Sequence, residues 1–386
     1  MLFLILPSEK GKSNLFGEKV ALTNTLSFFK ISISKIGKES RMIPKEFPSL
    51  VIKWFQKEGR VLPWREGRDP YRIWISEIML QQTRIEAVIP YYHRFLKELP
   101  DIPSLANCPE DKLLKLWEGL GYYSRARNLK KAAEKTMAEF GGSLPETAKE
   151  LKTLSGIGDY TAGAISSIAF GKPSPAVDGN VLRVLTRVLC DKSDIALPET
   201  KKALTAQLEK IYPSGKDAGD LTEGIMEIGE RICIPNGVPL CTLCPLKDIC
   251  LAKKKKMTDS IPYKSPKKER KIIPMTVFIL EHDGKYALQK RPDSGLLAGM
   301  WEFYNAPDEM DPQKALEHLE KLGIGVKEIA PFGKAKHIFT HLEWHMTGLF
   351  IKCTQESDRF LWVTKEEIEN SFALPTAFLK FKEKLK

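Results

Sequence analysis

Two carboxylic acids stand in surroundings that favour opposite protonation states. The neighbours of Glu77, from Trp74 to Met79, are mostly large and apolar. Removal from water raises the pKa of a carboxyl, and one that keeps its proton near neutral pH can act as a general acid. Asp178 comes just before a run with apolar residues at helical spacing, where the helix dipole and free N–H groups favour the anion. The pair therefore offers one candidate proton donor and one candidate anion.

Each carboxyl also has a plainer interpretation. Glu77 follows Ser76, a residue type that caps helices, and an acidic residue in a first helical turn is favoured by the dipole alone. Asp178 is itself a common capping residue. The residue types by themselves leave these interpretations open.

A glycine-punctuated turn comes before a helix-like run. Gly156 and Gly158 flank Ile157, and apolar and small residues follow over 161–169. Glycine allows a tight turn and a close approach of the backbone to a ligand, and the start of a helix presents N–H groups that suit a phosphate. The pattern favours a phosphate-gripping hairpin, although a simple turn would carry the same residues.

Four of the seven cysteines crowd into one short segment, with the spacing Cys233-x7-Cys241-x2-Cys244-x5-Cys250. Such crowding predicts a metal site in a reducing compartment rather than a disulfide framework. Zinc usually takes paired Cys-x-x-Cys motifs, and the unequal spacing fits an iron–sulfur cluster at least as well. No redox partner lies nearby in sequence, so we expect a structural role.

A second glycine turn carries aromatic side chains next to cations. Residues 119–123 read Gly-Leu-Gly-Tyr-Tyr and lead into a basic helical segment over 124–131. Aromatic groups beside cations on a loop can stack on bases or wedge between them. The alternative is a pair of core tyrosines beside a solvated basic face.

Composition narrows the partners. The 386 residues carry 60 Lys and Arg against 49 Asp and Glu, a net charge of +11, which favours an anionic partner such as nucleic acid. No apolar run approaches the roughly 20 residues that cross a bilayer, so we expect no membrane partner. The first residues have too short an apolar core for a signal peptide.

The texture of the chain changes along its length. Helical periodicity dominates from Phe47 to the cysteines, and a basic, proline-containing linker over 253–271 follows. Beyond it, alternating β-branched and aromatic runs predict a hairpin over 275–289, strands near 301–303, 341–351 and 360–363, and helices at 312–322 and 365–370. The predicted divisions are 1–43, 44–252, 253–271 and 272–386. The first is an extension or a short targeting arm of unknown role.

Several motifs in their order resemble the MutY-type adenine DNA glycosylases of the helix-hairpin-helix superfamily. The segments that carry the resemblance are 62–65 (Leu-Pro-Trp-Arg), 76–83 (Ser-Glu-Ile-Met-Leu-Gln-Gln-Thr), 119–127, the hairpin 154–165, 177–180 (Val-Asp-Gly-Asn) and the four-cysteine loop. The resemblance spans residues 44–386. It implies a mainly α helix-hairpin-helix glycosylase core with a four-cysteine cluster loop, followed by a small α+β Nudix-like domain.

The resemblance implies base excision repair of adenine opposite 8-oxoguanine or guanine in double-stranded DNA by a monomer. Glu77 would protonate the base, and ionised Asp178, supported by Asn180, would stabilise the sugar cation. This is the two-carboxylate logic of glycoside hydrolysis. By the same resemblance Trp64, Arg65 and Glu227 line the base pocket, Gln82 and Tyr122 fill or wedge the duplex, and Gly156 and Gly158 form the phosphate-binding hairpin.

Position 160 separates two related activities. Bifunctional enzymes similar to endonuclease III carry a lysine there, which attacks the sugar as an amine nucleophile. This chain has Tyr160, and no lysine stands in the hairpin. We therefore expect base excision with little strand cutting. A bifunctional glycosylase/lyase and a non-catalytic DNA-binding module remain the alternatives.

The C-terminal segment lacks the carboxylate set of catalytic Nudix hydrolases after Gly295, so nucleotide hydrolysis is not expected. In the resembled family this domain senses 8-oxoguanine through a Phe-Ser-His loop, which reads Phe339-Thr340-His341 here. Threonine keeps the hydroxyl and adds a methyl group. The alternative is that Phe339 and His341 simply alternate on a strand.

The resemblance further implies a [4Fe-4S] cluster on the four cysteines. Their first gap is seven residues, where the family usually has six, so the loop must differ locally. A cytoplasmic or nucleoid location is expected, or an organellar or nuclear one in a eukaryote. Glu223 lies near a pocket position of the family and receives no role.

Overall fold

The computed structural model describes residues 42–266 and 269–386. The predicted extension or targeting arm, residues 1–43, lies outside this part of the chain except for its last two residues. No helix among the described residues combines the length and the apolar character needed to span a membrane.

The first part of the described chain is helical, as its periodicity predicts. The helices are α1 Phe47–Glu58, α2 Pro70–Leu80, α3 Ile85–Glu98, α4 Ile102–Asn107, α5 Glu110–Leu116, α6 Ser124–Glu139, α7 Ala148–Leu151, α8 Asp159–Ile168, α9 Gly179–Leu189, α10 Pro198–Glu209, α11 Lys216–Arg231 and α12 Leu251–Lys254.

The start of α2 corrects one interpretation drawn from the sequence. The N-cap is Asp69, whose side chain accepts from the Arg72 amide at 2.8 Å, and Pro70 opens the helix. Ser76 lies well inside α2, where its hydroxyl donates to the Ile73 carbonyl instead. Glu77 is therefore not a first-turn residue favoured by the dipole.

Two apolar cores meet at the centre of the helical part. One core contains α2 with Trp74 and Trp117, and the other contains α9 and α11 with Leu185 and Ile228. Met226 of α11 packs against both. Because α8 contacts both α2 and α11 at this junction, side chains distant in sequence are brought together there.

The C-terminal part is one mixed sheet with short helices. Its strands are β1 Lys271–His282, β2 Lys285–Lys290, β3 Trp301–Phe303, β4 Asn305–Pro307, β5 Val326–Ile338, β6 Leu342–Cys353 and β7 Leu361–Thr364, and its helices are α13 Pro312–Lys321, α14 Lys365–Asn370 and α15 Leu379–Lys382. The central order is β3-β2-β1-β6-β5, with β1 and β6 parallel. Apolar clusters cover both faces of β1, which explains its continuous apolar run. The predicted fold class is confirmed.

Strand β5 is absent from the sequence prediction. It contains Pro331 and Gly333, between which its register against β6 shifts, and charged residues interrupt its apolar pattern. Proline and glycine favour a loop assignment, yet both are tolerated on an edge strand at an irregularity. Pairing with β6, which no local pattern reveals, decides the conformation.

The segment after α12 is bound to the helical part along much of its length. The Arg187 guanidinium donates through Nε to the Ile261 carbonyl at 2.7 Å, and the Ser265 amide donates to Asp194 at 3.3 Å. Up to Ser265, the basic segment therefore packs along the helical part and is not a flexible linker.

The sheet domain docks beside the glycine turn 119–123. Glu118 accepts from the Leu374 amide at 3.2 Å and from Lys382 Nζ at 3.0 Å, while Lys115 Nζ donates to the Phe372 carbonyl at 3.2 Å. The Tyr123 hydroxyl lies 3.4 Å from the Leu374 carbonyl. The C-terminal residues thus hold the base of this turn directly.

Candidate active site and DNA-facing surfaces

The Glu77 side chain lies on the inner face of α2 and is 7% exposed. Burial raises its pKa to about 7, assisted by the negative charges of Glu223 and Asp178 and opposed by Tyr160 and Arg65. A carboxyl with this pKa is partly protonated at neutral pH. The apolar neighbours of Glu77 in the sequence predict a buried carboxyl with a raised pKa, and the structure shows both properties.

Asp178 caps α9. Its Oδ1 accepts from the Val181 amide and its Oδ2 accepts from Asn180 Nδ2, both at 2.8 Å. Burial raises the pKa of Asp178, while these two donors and the nearby Arg183 act in the opposite direction. The sequence predicts only the stabilising influences, because burial of this turn depends on the packing of the helices.

Tyr160 lies near both carboxyls. It is a half-buried residue in the first turn of α8, and the negative charges of Glu77 and Asp178 both act to raise the pKa of its phenol. Its hydroxyl donates to the Met226 sulfur at 3.4 Å. Burial raises the Tyr160 pKa well above its usual value, so the phenol is neutral and offers no amine-like nucleophile.

A row of ion pairs forms one wall of the site. Arg65 donates to Glu223 through Nε at 2.6 Å and to Glu227 through Nη1 at 2.8 Å. Burial raises the pKa of Glu223 in spite of Arg65, whereas hydrogen bonds from Arg60 and Arg65 outweigh burial and lower that of Glu227. The structure thus brings Arg65 and Glu227 together, as the resemblance implies.

Trp64 lies beside these ion pairs but faces the helical core. It is 5% exposed, and its ring packs edge-on against Tyr92 with centroids 5.4 Å apart. Its contacts are those of a residue that supports the wall rather than of one that lies open to a ligand.

Two residues to which the sequence alone assigns no role, Glu223 and Arg183, belong to the site. Glu223 pairs with Arg65 and influences Glu77. Arg183 donates to Asn180 Oδ1 at 2.8 Å and to the Cys233 carbonyl at 2.7 Å, which links the turn of Asp178 to the cysteine loop. The four-residue spacing of Glu223 and Glu227 places both carboxyls on one helical face, so the sequence could have indicated a role for Glu223. No sequence pattern indicates the role of Arg183, which depends on how the helices pack.

The hairpin between α7 and α8 places its two glycines differently. Gly156 has φ of 77°, and a Cβ there would lie 2.7 Å from Cβ of Asn128. Gly158 is the N-cap of α8, and a Cβ there would meet nothing within 4 Å. Gly158 and Asp159, at the start of α8, are exposed residues, and the first N–H groups of a helix have no partners within the helix and suit an anion.

This difference predicts separable effects of two matched substitutions. Gly156→Ala should destabilise the fold by about 1–3 kcal/mol through backbone strain and the Asn128 contact. Each kcal/mol lowers Tm by about 2–4 °C. Gly158→Ala should leave Tm unchanged and weaken duplex binding, because its methyl group occupies the space that a phosphate would approach. Thermal unfolding and duplex titration measure the two effects, and equal Tm losses would contradict this assignment.

The two residues that the family resemblance predicts to enter the DNA duplex lie on two exposed turns. Gln82 follows α2, and Tyr122, 46% exposed, precedes α6. Both have left-handed backbone conformations, with φ of 59° for Gln82 and 49° for Tyr122. A non-glycine residue in this region is uncommon and is held there by its surroundings.

A cleft of about 480 Å³ separates the Tyr122 turn from the sheet domain. Its walls contain residues 119–124, 295–298 and 337–341, so Tyr122 faces Phe339, Thr340 and His341. This volume is in the range of small-molecule sites. The structure therefore brings Tyr122 and the segment 339–341 together in one cleft, whose lining does not include Glu77 or Asp178.

Phe339, Thr340 and His341 form the turn between β5 and β6. The Phe339 amide donates to the Leu342 carbonyl at 2.9 Å, which closes the turn. The Phe339 ring packs edge-on against Trp344 at 4.8 Å, while Thr340 and His341 are exposed. The interpretation that Phe339 and His341 alternate on a strand is wrong, because the chain reverses direction between them.

The four cysteines line one cavity beside Arg187. The Leu240 amide donates to the Ile232 carbonyl at 2.9 Å and brings Cys241 back to Cys233, so the seven-residue gap is absorbed in an exposed loop. Among residues 42–266 and 269–386, no three His, Cys, Asp or Glu side chains converge as around a single ion. Burial raises the pKa of Cys244 to about 12, so a thiolate there needs a cationic partner. Four cysteine side chains around one cavity are a donor set that would suit an iron–sulfur cluster.

The sheet domain contains one strongly buried acid, Glu302. It accepts from Gln289 Nε2 at 2.9 Å and from Arg291 Nη1 at 2.5 Å. Both of its oxygens therefore already have protein partners.

The comparisons with known proteins agree with this geometry. Residues 75–214 match a family model described as HhH-GPD superfamily base excision DNA repair protein, and residues 275–384 match one described as NUDIX domain. Fold and site together define a helix-hairpin-helix DNA glycosylase of base excision repair with an appended Nudix domain, so DNA is its partner.

Similar whole proteins specify the family. The chain is 31% identical to human adenine DNA glycosylase, over 86% of this chain and 73% of that protein. It is 34% identical to the adenine DNA glycosylase of Buchnera aphidicola subsp. Baizongia pistaciae, over 88% and 97%. A solved thermostable thymine-DNA glycosylase aligns with a TM-score of 0.49 at 31% identity, over 55% of this chain and 96% of that one. The chain belongs to the adenine DNA glycosylase family, which confirms the predicted resemblance.

Proposed function

We propose that this protein hydrolyses the N-glycosidic bond of adenine paired with 8-oxoguanine or guanine in double-stranded DNA. The observation that carries the proposal is the proximity of the buried Glu77 carboxyl and the half-buried Asp178 carboxyl to each other and to Tyr160, in a protein of this family. The names of the relatives support adenine as the excised base. We expect it to act as a monomer where cellular DNA is kept.

The two carboxyls divide the chemistry between them. Glu77 donates its proton to N7 of the extruded adenine, so the base leaves as a neutral molecule when the C1′–N9 bond breaks. The sugar becomes an oxocarbenium cation, which the Asp178 carboxylate stabilises at short range. Water then adds at C1′ and loses a proton, which leaves an abasic site. Asn180 supports this role because its amide donates to the Asp178 oxygen.

The wall of ion pairs gives the pocket a fixed set of polar groups. Arg65, Glu223 and Glu227 are locked by one another, so their orientation does not depend on a ligand. Preorganised groups of this kind recognise a base without a reorganisation cost. Unpairing costs least at a mismatch, which favours adenine opposite a damaged or wrong partner.

The cleft beside Tyr122 supports recognition of the opposite base. Phe339 offers a ring for stacking, and the exposed Thr340 hydroxyl offers a hydrogen bond. The test compares duplexes with adenine opposite 8-oxoguanine, guanine or thymine under single-turnover conditions. The expected order is 8-oxoguanine first, guanine second and thymine last.

Substitution in this turn tests the same proposal. Phe339→Ala should reduce the preference for 8-oxoguanine over guanine about tenfold, because base–aromatic stacking contributes about 1–3 kcal/mol. Phe360→Ala, a change of the same type away from the cleft, is the control. A preference that survives Phe339→Ala unchanged would mean that this turn does not read the opposite base.

Glu77 sets a prediction for pH dependence. Excision requires protonated Glu77, whose pKa is raised to about 7, so the rate falls as pH rises through about 7. At low pH the rate falls again as Asp178, whose pKa is also raised, takes up a proton. The two interacting groups titrate as a pair, and the profile is bell-shaped. A rate that increases steadily to pH 9 would contradict the assigned acid.

The absence of a lysine in the hairpin supports a monofunctional enzyme over a glycosylase/lyase. The nearest lysine, Lys152, is exposed and pairs with Asp159 at 3.0 Å. A lyase forms an imine between an amine and the sugar, which borohydride traps as a covalent protein–DNA adduct. We expect adduct levels at background, and a strong adduct band would favour the bifunctional alternative.

We also propose that Cys233, Cys241, Cys244 and Cys250 hold a [4Fe-4S] cluster. When bound, it would supply structural cross-linking of the loop and positive charge that compensates the buried thiolates. Iron and sulfide analysis of anaerobically purified protein, with zinc measured in parallel, tests this. Stoichiometric zinc in place of iron would contradict it.

A further inference from the structure

The two turns predicted to enter the duplex share an unfavourable backbone conformation. Gln82 and Tyr122 both adopt a left-handed backbone conformation that side chains disfavour. Both residues are exposed on the surface. Something inside the protein must therefore hold both turns.

One buried side chain contacts both turns. Arg125, in the first turn of α6, is only 7% exposed. Its Nη1 donates to carbonyls at the end of α2, namely those of Ile78 at 2.7 Å, Met79 at 2.9 Å and Gln81 at 2.8 Å. Its Nη2 donates to the carbonyls of Leu120 and Gly121, both at 3.1 Å.

Two of these bonds fall at the decisive peptide groups. The Gln81 carbonyl belongs to the peptide plane that precedes Gln82, and the Gly121 carbonyl belongs to the plane that precedes Tyr122. The φ angle of a residue is measured relative to the peptide plane that precedes it, so a hydrogen bond that fixes this plane also restrains φ. Arg125 therefore restrains both left-handed residues at the same relative position.

The contacts of the guanidinium face add to this restraint. Its Cζ lies 5.7 Å from the Tyr122 ring centroid and 5.3 Å from that of Trp117. A planar fork with several fixed donors can satisfy two sets of carbonyls at once, whereas a lysine ammonium is a compact point charge. The position is thus specific for arginine.

We propose that Arg125 is a positioning residue that holds the Gln82 and Tyr122 turns at a fixed separation, so that both side chains enter the duplex together when adenine is extruded. Arg125 touches neither the base nor the sugar. Its contribution is to the opening of the base pair rather than to bond cleavage. This inference rests on the proposed function.

The test compares two substrates with the same preparation of Arg125→Lys. On adenine opposite 8-oxoguanine, single-turnover excision should fall about 10- to 100-fold, because base-pair opening costs a few kcal/mol. On adenine opposite an abasic site, where no pair must open, the loss should be under about threefold. The ratio of the two losses does not depend on the amount of folded protein.

A double-mutant cycle and a control complete the test. If Arg125 acts through Tyr122, the effect of Arg125→Lys should shrink on a Tyr122→Ala background, since coupled residues are not additive. Arg94→Met removes an exposed arginine that donates to one carbonyl, and it should affect both substrates equally little. The pH dependence should remain that of wild type, because Glu77 is unaffected.

Equal losses of Arg125→Lys on the two substrates, or full additivity with Tyr122→Ala, would overturn the inference and leave the proposed function standing. Wild-type protein that releases adenine from neither duplex would overturn both.

Discussion

Glu77→Gln should abolish adenine excision while leaving duplex affinity unchanged. Glutamine keeps the shape of the side chain and fits its buried site as a neutral group, but it cannot deliver a proton. General acid catalysis contributes about 100- to 10,000-fold, so the single-turnover rate should fall by at least that lower limit. Binding to adenine opposite 8-oxoguanine, measured by fluorescence anisotropy, should match wild type within about twofold, a change of roughly 0.4 kcal/mol.

The control for this prediction is Glu86→Gln, which removes an exposed carboxyl from the first turn of α3. It should excise adenine at the wild-type rate. If Glu77→Gln instead loses duplex binding and thermal stability together, Glu77 is a structural residue of α2 and the acid lies elsewhere.

Asp178→Asn should be the second large effect. The side chain caps α9 by accepting from the Val181 amide, and asparagine is an equally good cap, so the fold should persist. What disappears is the negative charge next to the developing sugar cation. We expect a loss of about 100- to 1,000-fold in the rate of the chemical step, the magnitude seen when a preorganised electrostatic contact is removed.

Asp311→Asn supplies a matched control, because Asp311 caps α13 in the same manner and accepts from the Lys314 amide at 2.9 Å. Both variants should unfold at the wild-type temperature, and only Asp178→Asn should lose excision. A large fall in Tm for Asp178→Asn alone would show that its charge supports the helix rather than the reaction.

The sequence predicts the general character of the site from local signals. The apolar neighbours of Glu77 correctly indicate burial, and the position of Asp178 before an apolar-periodic run correctly indicates the start of a helix. The fold class follows from the change of periodicity after the cysteines. These features depend on neighbours in sequence, which the chain itself displays.

The remaining features depend on which helices pack together. Arg183 and Arg125 resemble ordinary basic residues of helices, and only packing shows that the first links Asn180 to the cysteine loop and the second joins two turns. Strand β5 is likewise stabilised by its partner β6 against its own proline and glycine. Burial of Asp178 raises its pKa for the same reason, since the elements that cover it come from distant segments.

The most direct test of the central claim measures free adenine. Purified wild-type protein in excess is incubated at neutral pH with a duplex that has one adenine opposite 8-oxoguanine, and the released base and the DNA strand are quantified together. We predict that the wild-type protein releases one adenine per duplex and leaves a strand that breaks only on treatment with alkali. With Glu77→Gln we expect no adenine release and no strand break after alkali. Adenine release by Glu77→Gln at the wild-type rate would contradict the assignment of Glu77 as the acid on which the mechanism depends.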